Sequence, residues 1–212
     1  DDSASRGLGD VYKRQFVAVL FITPDSLFIR LSSIDTWGLV FYRGIIPFFV
    51  VFFVMLIIYR LKFFKLLSTS GIHGFIYIIT FSITNIAFVV SIQNTNVANT
   101  LVMVATAPMI SAILGSIFLK EPPDKKTLIS ILITFFAVIY IFFDSLRVGN
   151  FFGDILGFIT AIGLAVGAVT IRSAKTKNLV PAAVVGKLLV AIFASFFIQS
   201  YTCLLYTSPS PR

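Results

Sequence analysis

A chain of 212 residues that is 58% hydrophobic and only 12% charged, with a mean hydropathy of +0.98 and 24 Phe, cannot supply the polar surface of a soluble domain. Its net charge of +8 comes as separate small groups between long apolar runs, which speaks against nucleic acid as a partner and for a polytopic membrane protein. The single Cys leaves no disulfide or thiolate metal site to build, and neither HExxH, GxSxG nor a phosphate-binding glycine loop is present, so the sequence is read as that of a non-enzyme with no metal and no cofactor.

The polar stretch 1–15 stops abruptly at FVAVLF, and CLLYTSPSPR (203–212) follows a membrane run without transition; both resemble translated adapter sequence and are set outside the fold. Between them lie apolar runs at 16–31, 38–59, 72–92, 97–119, 127–143, 155–171 and 180–200. Each approaches the roughly 20 residues that cross a hydrocarbon core. Lipid leaves backbone groups no water to bond, and the runs lack the alternation of barrel strands, so they are expected to be helices.

In chain order, the first run carries Asp25, about 12 Å from its outer end at a rise of about 1.5 Å per residue. The second carries Arg43 about 7.5 Å from its outer end by the same rise, a difference within the reach of an Arg side chain, so an ion pair that either lines a pathway or is purely structural is expected. The third holds Asn85 with Ser82 one turn earlier, and His73 at its edge. The turn QNTN (93–96) is expected to satisfy helix ends. In the fourth run Asn99, Met103, Thr106 and Ile110 share a face, so Asn99 and Thr106 serve either a cavity or interhelical hydrogen bonds. Pro108 is expected to break that helix and free a carbonyl near Val104.

Small residues follow Pro108 at Ser111 and Gly115, and the sixth run begins a ladder at Gly153, Gly157, Gly163 and Gly167. Such spacings let helices approach closely. Lys187 in the seventh run is the remaining intramembrane charge, with a stem long enough to snorkel. Glu121, before Pro122 and Pro123, is expected to end the fourth run.

Basic residues cluster after alternate runs: Arg60, Lys62 and Lys65, then Lys120, Lys125 and Lys126, then Arg172, Lys175 and Lys177. The opposite side has only Arg30 and Arg147, so the basic side and the N-terminus are expected in the cytoplasm. The segments around the first two and the last two runs echo each other weakly, pairing Arg30 with Arg172 and Arg43 with Lys187. A repeat five runs long starts its second copy on the opposite face, the arrangement of inverted-repeat transporters.

NTNVANTLVMVATAPMISAILGSIFLKE (94–121) and TWGLVFYRG (36–44) resemble the fourth helix and the start of the second helix of the EamA-type branch of the drug/metabolite transporter superfamily. The resemblance implies an all-α, polytopic integral membrane helix bundle of ten helices in two inverted five-helix halves, of which seven are present. On this reading 16–143 is the first repeat, 150–202 begins the second, and 1–15 and 203–212 are adapter-like. It further implies a secondary transporter of a small organic metabolite, amino acid or drug-like solute in a bacterial-type inner membrane. The rival reading is a channel-like assembly subunit. Asp25, Arg43, Asn85, Asn99, Thr106, Pro108 and Lys187 are the candidate pathway residues; the partners are a solute, the bilayer and a coupling proton or ion. Oligomeric state is left open, a dimer being one option.

Overall fold

The computed structural model describes residues 25, 29, 35–60, 62–120, 125–148, 151–175 and 177–198. The adapter-like ends, Arg30, Glu121, Pro122 and Pro123 lie outside them. The chain divides into a unit Asp1–Ser33, within which Asp25 is half-buried and helical and Ile29 is buried, and a unit Ile34–Arg212. The rest of this subsection concerns the larger unit.

Every described element is a helix: α1 (Thr36–Tyr59), α2 (Lys62–Asn94), α3 (Val97–Val104), α4 (Ala107–Phe118), α5 (Lys125–Val148), α6 (Phe151–Ser173) and α7 (Val180–Ser195). Long apolar segments leave no other way to bond their backbone in lipid. Thr36–Tyr59, Phe63–Asn94, Val97–Phe118 and Phe151–Ser173 are long and apolar enough to cross a membrane, and two shorter apolar helices accompany them. The outward faces are consistently apolar, with Ile57, Phe118, Ile133 and Phe136 each more than half exposed. A water-soluble protein rarely shows such continuous apolar surface, whereas lipid requires it.

The helix starts follow from local chemistry. The Asp35 carboxylate accepts from the N–H groups of Trp37 and Gly38 at the head of α1, and the Asn96 side chain accepts from Ala98 N–H at the head of α3. Asn94 donates to the Val90 carbonyl, so the polar turn does satisfy helix ends as expected. The fourth run is broken into α3 and α4 at Ala105 and Thr106, with Pro108 in the first turn of α4. Proline fits there because its missing N–H would have had no helical partner. α2 begins ten residues before the run predicted at 72–92, and it bends at Gly71, whose φ of 55° only glycine adopts cheaply.

α2 is the central helix, with α6 along one side and α7 along another; α6 also packs on α3 and α4, and α7 on α1. α2 and α6 run antiparallel. Ser91 bonds the Gly153 carbonyl near one end, Tyr77 meets Gly167 further along, and Ser70 bonds the Asn178 carbonyl near the other end. Glycines make the close approach. A Cβ on Gly153 would fall 2.6 Å from Thr95 Cβ, one on Gly157 would fall 3.1 Å from Ser91 Oγ, and one on Gly163 would collide with the Thr84 hydroxyl. The antiparallel order gathers the three basic groups at one end, where Gly71 approaches the Lys177 ammonium and Gly115 the Arg172 guanidinium. We call this the basic end, and the end carrying Thr95 and Gly153 the far end.

Candidate functional site

Two polar centres interrupt the apolar interior. The first lies between α2 and α7, partway along both. Lys187 is half-buried, and its ammonium donates to Asn85 Oδ1 at 2.6 Å. The Asn85 amide in turn donates to the Phe81 carbonyl at 2.7 Å, which fixes which way its oxygen faces. The Phe81 ring lies 5.3 Å from the same ammonium, within cation–π range. One turn along, Ser82 is buried and its hydroxyl lies between the Ile78 carbonyl of its own helix and the Gly186 carbonyl of α7, at 2.8 and 3.0 Å, its one proton available to either.

The backbone makes this placement. A Cβ on Gly186 would lie 2.9 Å from the Phe81 ring, and one on Gly44 would lie 2.9 Å from the Lys187 carbonyl and 2.8 Å from Ala191 N. Any larger residue at either position would push α7 away from α2 or α1. Arg43, half-buried, immediately precedes Gly44, so Arg43 and Lys187 flank the closest approach of α1 and α7. Lys187 thus engages Asn85 inside the bundle, where the sequence also allowed it to snorkel outward.

Beside this centre, without including Asn85 or Lys187 in its lining, lies an open groove of about 590 Å³ formed by Trp37, Ser82, Val90, Phe152, Leu189 and Phe193, the last three of them exposed. Its volume is that of a pocket for a small organic solute, and its lining is apolar except for the Ser82 hydroxyl. Trp37 is held by Phe197, stacked at 4.7 Å between centroids, and by Phe193 at 6.0 Å. A second, open pocket of about 380 Å³ lies at the basic end between α2, α4 and α6, lined by His73, Ile76, Leu114, Phe118, Val166 and Ser173.

The second polar centre is at the far end. Thr95 donates to Asp154 Oδ1 at 2.6 Å, Ser91 donates to the Gly153 carbonyl at 2.7 Å, and Ser91 and Thr100 share a hydrogen bond of 2.8 Å. Asp154 and Thr100 are both 0% exposed. In the sequence Asp154 stands just before the apolar run 155–171, where a charge reads as a boundary. The signal that could have found it is local: FFGDILGF places apolar residues on both sides of it, next to the first glycine of the ladder.

The remaining candidates separate. Thr106 is fully buried and its hydroxyl donates to the Met103 carbonyl at 2.6 Å, stitching the break between α3 and α4. Pro108 is exposed and stands in the first turn after the break between α3 and α4. Asn99 is only half-buried and its side chain makes no hydrogen bond among the described residues; its neighbour Thr100 is the one that turns inward. Asp25 belongs to the smaller unit.

An all-helical bundle with apolar outer faces, a solute-sized groove and an intramembrane lysine held by an amide is the architecture of an integral membrane protein that handles small solutes. The chain matches the EamA-like transporter family over residues 15–143, more than half its length, and it belongs to that family within the drug/metabolite transporter superfamily. No curated protein and no solved structure matches it.

Proposed function

We propose that this protein is a secondary transporter that moves a small organic solute across a bacterial-type inner membrane by alternating access, and that it is not an enzyme. The observation that carries the reading is the groove of about 590 Å³ beside the Lys187–Asn85 pair. Transporter sites lie at membrane mid-depth where elements of two repeats meet, and an intramembrane charge marks a pathway more often than a packing accident. Lys187 offers one positive charge and Asn85 an amide, a pair suited to an anionic or polar group on an otherwise apolar solute.

Two further features support the reading. Arg43 and Lys187, paired in the sequence echo, flank the contact of α1 with α7, as an inverted pair would. The α2–α6 seam also differs along its length, with glycine contacts beside Thr95 and Ser91 at the far end and a pocket of about 380 Å³ bordered by α4 at the basic end, while the larger groove reaches Val90 and Phe152 on the side that faces α7. Alternating access needs that asymmetry to reverse. The three basic groups favour a cytoplasmic position for the basic end.

A metabolite-release screen in cells expressing the gene tests the proposal. The expected result is a solute whose flux saturates with concentration and is reduced in Lys187→Ala at equal membrane abundance. Flux that rises linearly without saturating would favour a channel-like subunit and end the alternating-access reading. Orientation is checked with single cysteines: those at Lys65 and Lys175 should be shielded from an impermeant thiol reagent in intact cells, while one at Asn96 should react.

A further inference from the structure

At the far end of the α2–α6 seam, Asp154 is a fully buried carboxyl that the solute groove does not use. It sits in the first turn of α6, 0% exposed, and its Oδ2 has no hydrogen-bond partner among the described residues. The hydroxyl protons around it are all committed, none of them to Oδ2. Thr95 gives its proton to Oδ1 at 2.6 Å, and Ser91 gives its proton to the Gly153 carbonyl at 2.7 Å. Ser91 must therefore accept from Thr100 in their 2.8 Å contact.

Among the described residues, none of the charged side chains on the neighbouring helices bonds it. The ionisable residues of α2 (Lys62, Lys65, His73 and Tyr77) occupy its other half, and α3 and α4 have none. α6 holds only Arg172, in its last turn, and α5 brings Asp144 and Arg147 to this end by sequence. Among the described residues no cation bonds Asp154.

An ionised carboxylate buried with one hydroxyl donor and no charged partner bonded to it costs several kcal/mol. A metal cation would require about six oxygen ligands around itself, whereas the four oxygens here bond one another or the carboxyl. A proton needs no such room. It satisfies Oδ2, removes the charge and leaves the Thr95 bond to Oδ1 intact.

We propose that Asp154 is a proton-carrying carboxyl of the transport cycle: it holds a proton on Oδ2 while the far ends of α2, α3 and α6 are closed, and gives it to water when they part. The proton enters from and leaves to water, so nothing else is consumed. This rests on the transporter reading, which it deepens by naming the coupling ion and where that ion is carried. Thr95 and Ser91 are positioning residues, since their bonds close the seam around the carboxyl.

The test is infrared spectroscopy of the full chain in lipid vesicles at neutral pH, where exposed carboxyls are ionised. The expected result is a protonated-carboxyl C=O band that disappears in Asp154→Asn, shifts to higher frequency in Thr95→Val, and is unaffected by added sodium. Absence of that band from the wild type, its survival in Asp154→Asn, or its loss on adding sodium would each overturn the proposal. The wild type and Thr95→Val keep it decidable should Asp154→Asn fail to fold, because Thr95→Val leaves the carboxyl in place. A structural role alone predicts that asparagine, which still accepts from Thr95, leaves coupling unchanged. Release of the screened solute should therefore lose its dependence on a pH gradient in Asp154→Asn, and retained dependence would overturn the coupling role. Failure to find any transported solute would count against the transporter reading, while the infrared band would still decide the proton site.

Discussion

The two ends of the α2–α6 seam are built on opposite plans. At the far end a Cβ on Gly153 would meet Thr95 Cβ at 2.6 Å and the Asn94 and Thr95 backbone at 2.8 Å, and hydroxyls bond across the contact. At the basic end the side chains facing each other are larger, among them His73, Ile76 and Val166, and together with Leu114 and Phe118 of α4 they line an open pocket of about 380 Å³. His73 Nδ1 is buried there without a partner among the described residues. In lipid no hydrophobic force drives helices together, so close packing and interhelical hydrogen bonds decide where they touch. The far end has both, while the basic end has neither to the same degree. On the side bordered by α3 and α4, one helix pair therefore carries a tight contact and an opening about six turns apart at roughly 5.4 Å per turn, while on the side facing α7 the larger groove reaches Val90 and Phe152.

The sharpest way to break this contrast is Gly153→Leu. Its side chain would collide with backbone, which cannot yield as a flexible side chain can, and overpacking of this kind costs about 1–3 kcal/mol or more. The expected outcome is severe loss of membrane abundance and of the melting transition in detergent; normal abundance would show that the far end opens without cost. Next in size is Asn85→Leu, which removes the amide oxygen that receives the Lys187 ammonium. A hydrogen bond to a charged group contributes about 1.5–3 kcal/mol, so solute flux per unit of protein should fall about tenfold or more. Unchanged flux would separate the Lys187 pair from the pathway.

Thr106→Val is expected to have a smaller effect, since it removes only the hydroxyl bond to the Met103 carbonyl at the α3–α4 break. A destabilisation of about 1 kcal/mol, read as a lower melting temperature, matches one neutral hydrogen bond. Gly167→Ala, towards the basic end of the same glycine ladder, should have the smallest effect. Its Cβ would meet the Tyr77 ring at 3.6 Å, an ordinary contact, and alanine favours the helix over glycine by up to about 1 kcal/mol. Abundance should hold or rise, and a loss like that of Gly153→Leu would mean that the seam is equally tight along its length.

Where these effects come from was only partly legible in the amino-acid order. Gly153 and Gly157 announced a close contact by spacing, but not that Thr95 and Ser91 would be what they touch. Asn85 and Lys187 were each conspicuous as polar residues within apolar runs, yet they lie 102 positions apart and become a pair only when α7 folds onto α2. Asn99 and Thr100 show the limit of reading a face by periodicity. The break at Ala105 and Thr106 ends α3 after two turns, and within it Thr100, not Asn99, faces Ser91.

Hydropathy and run length alone determined that the described chain is helical, because lipid permits no unpaired backbone. Charge order alone determined which loops are basic, and Pro108 alone that the fourth run must break, because a ring in place of an N–H cannot continue the ladder. The tertiary structure decided what a charge means once it is inside. Asp154 stands at the boundary of a run in the sequence, and became a buried carboxyl because Gly153 lets α6 press against α2 until water is excluded. Burial is a property of the packed neighbours, which no single helix carries in its own sequence.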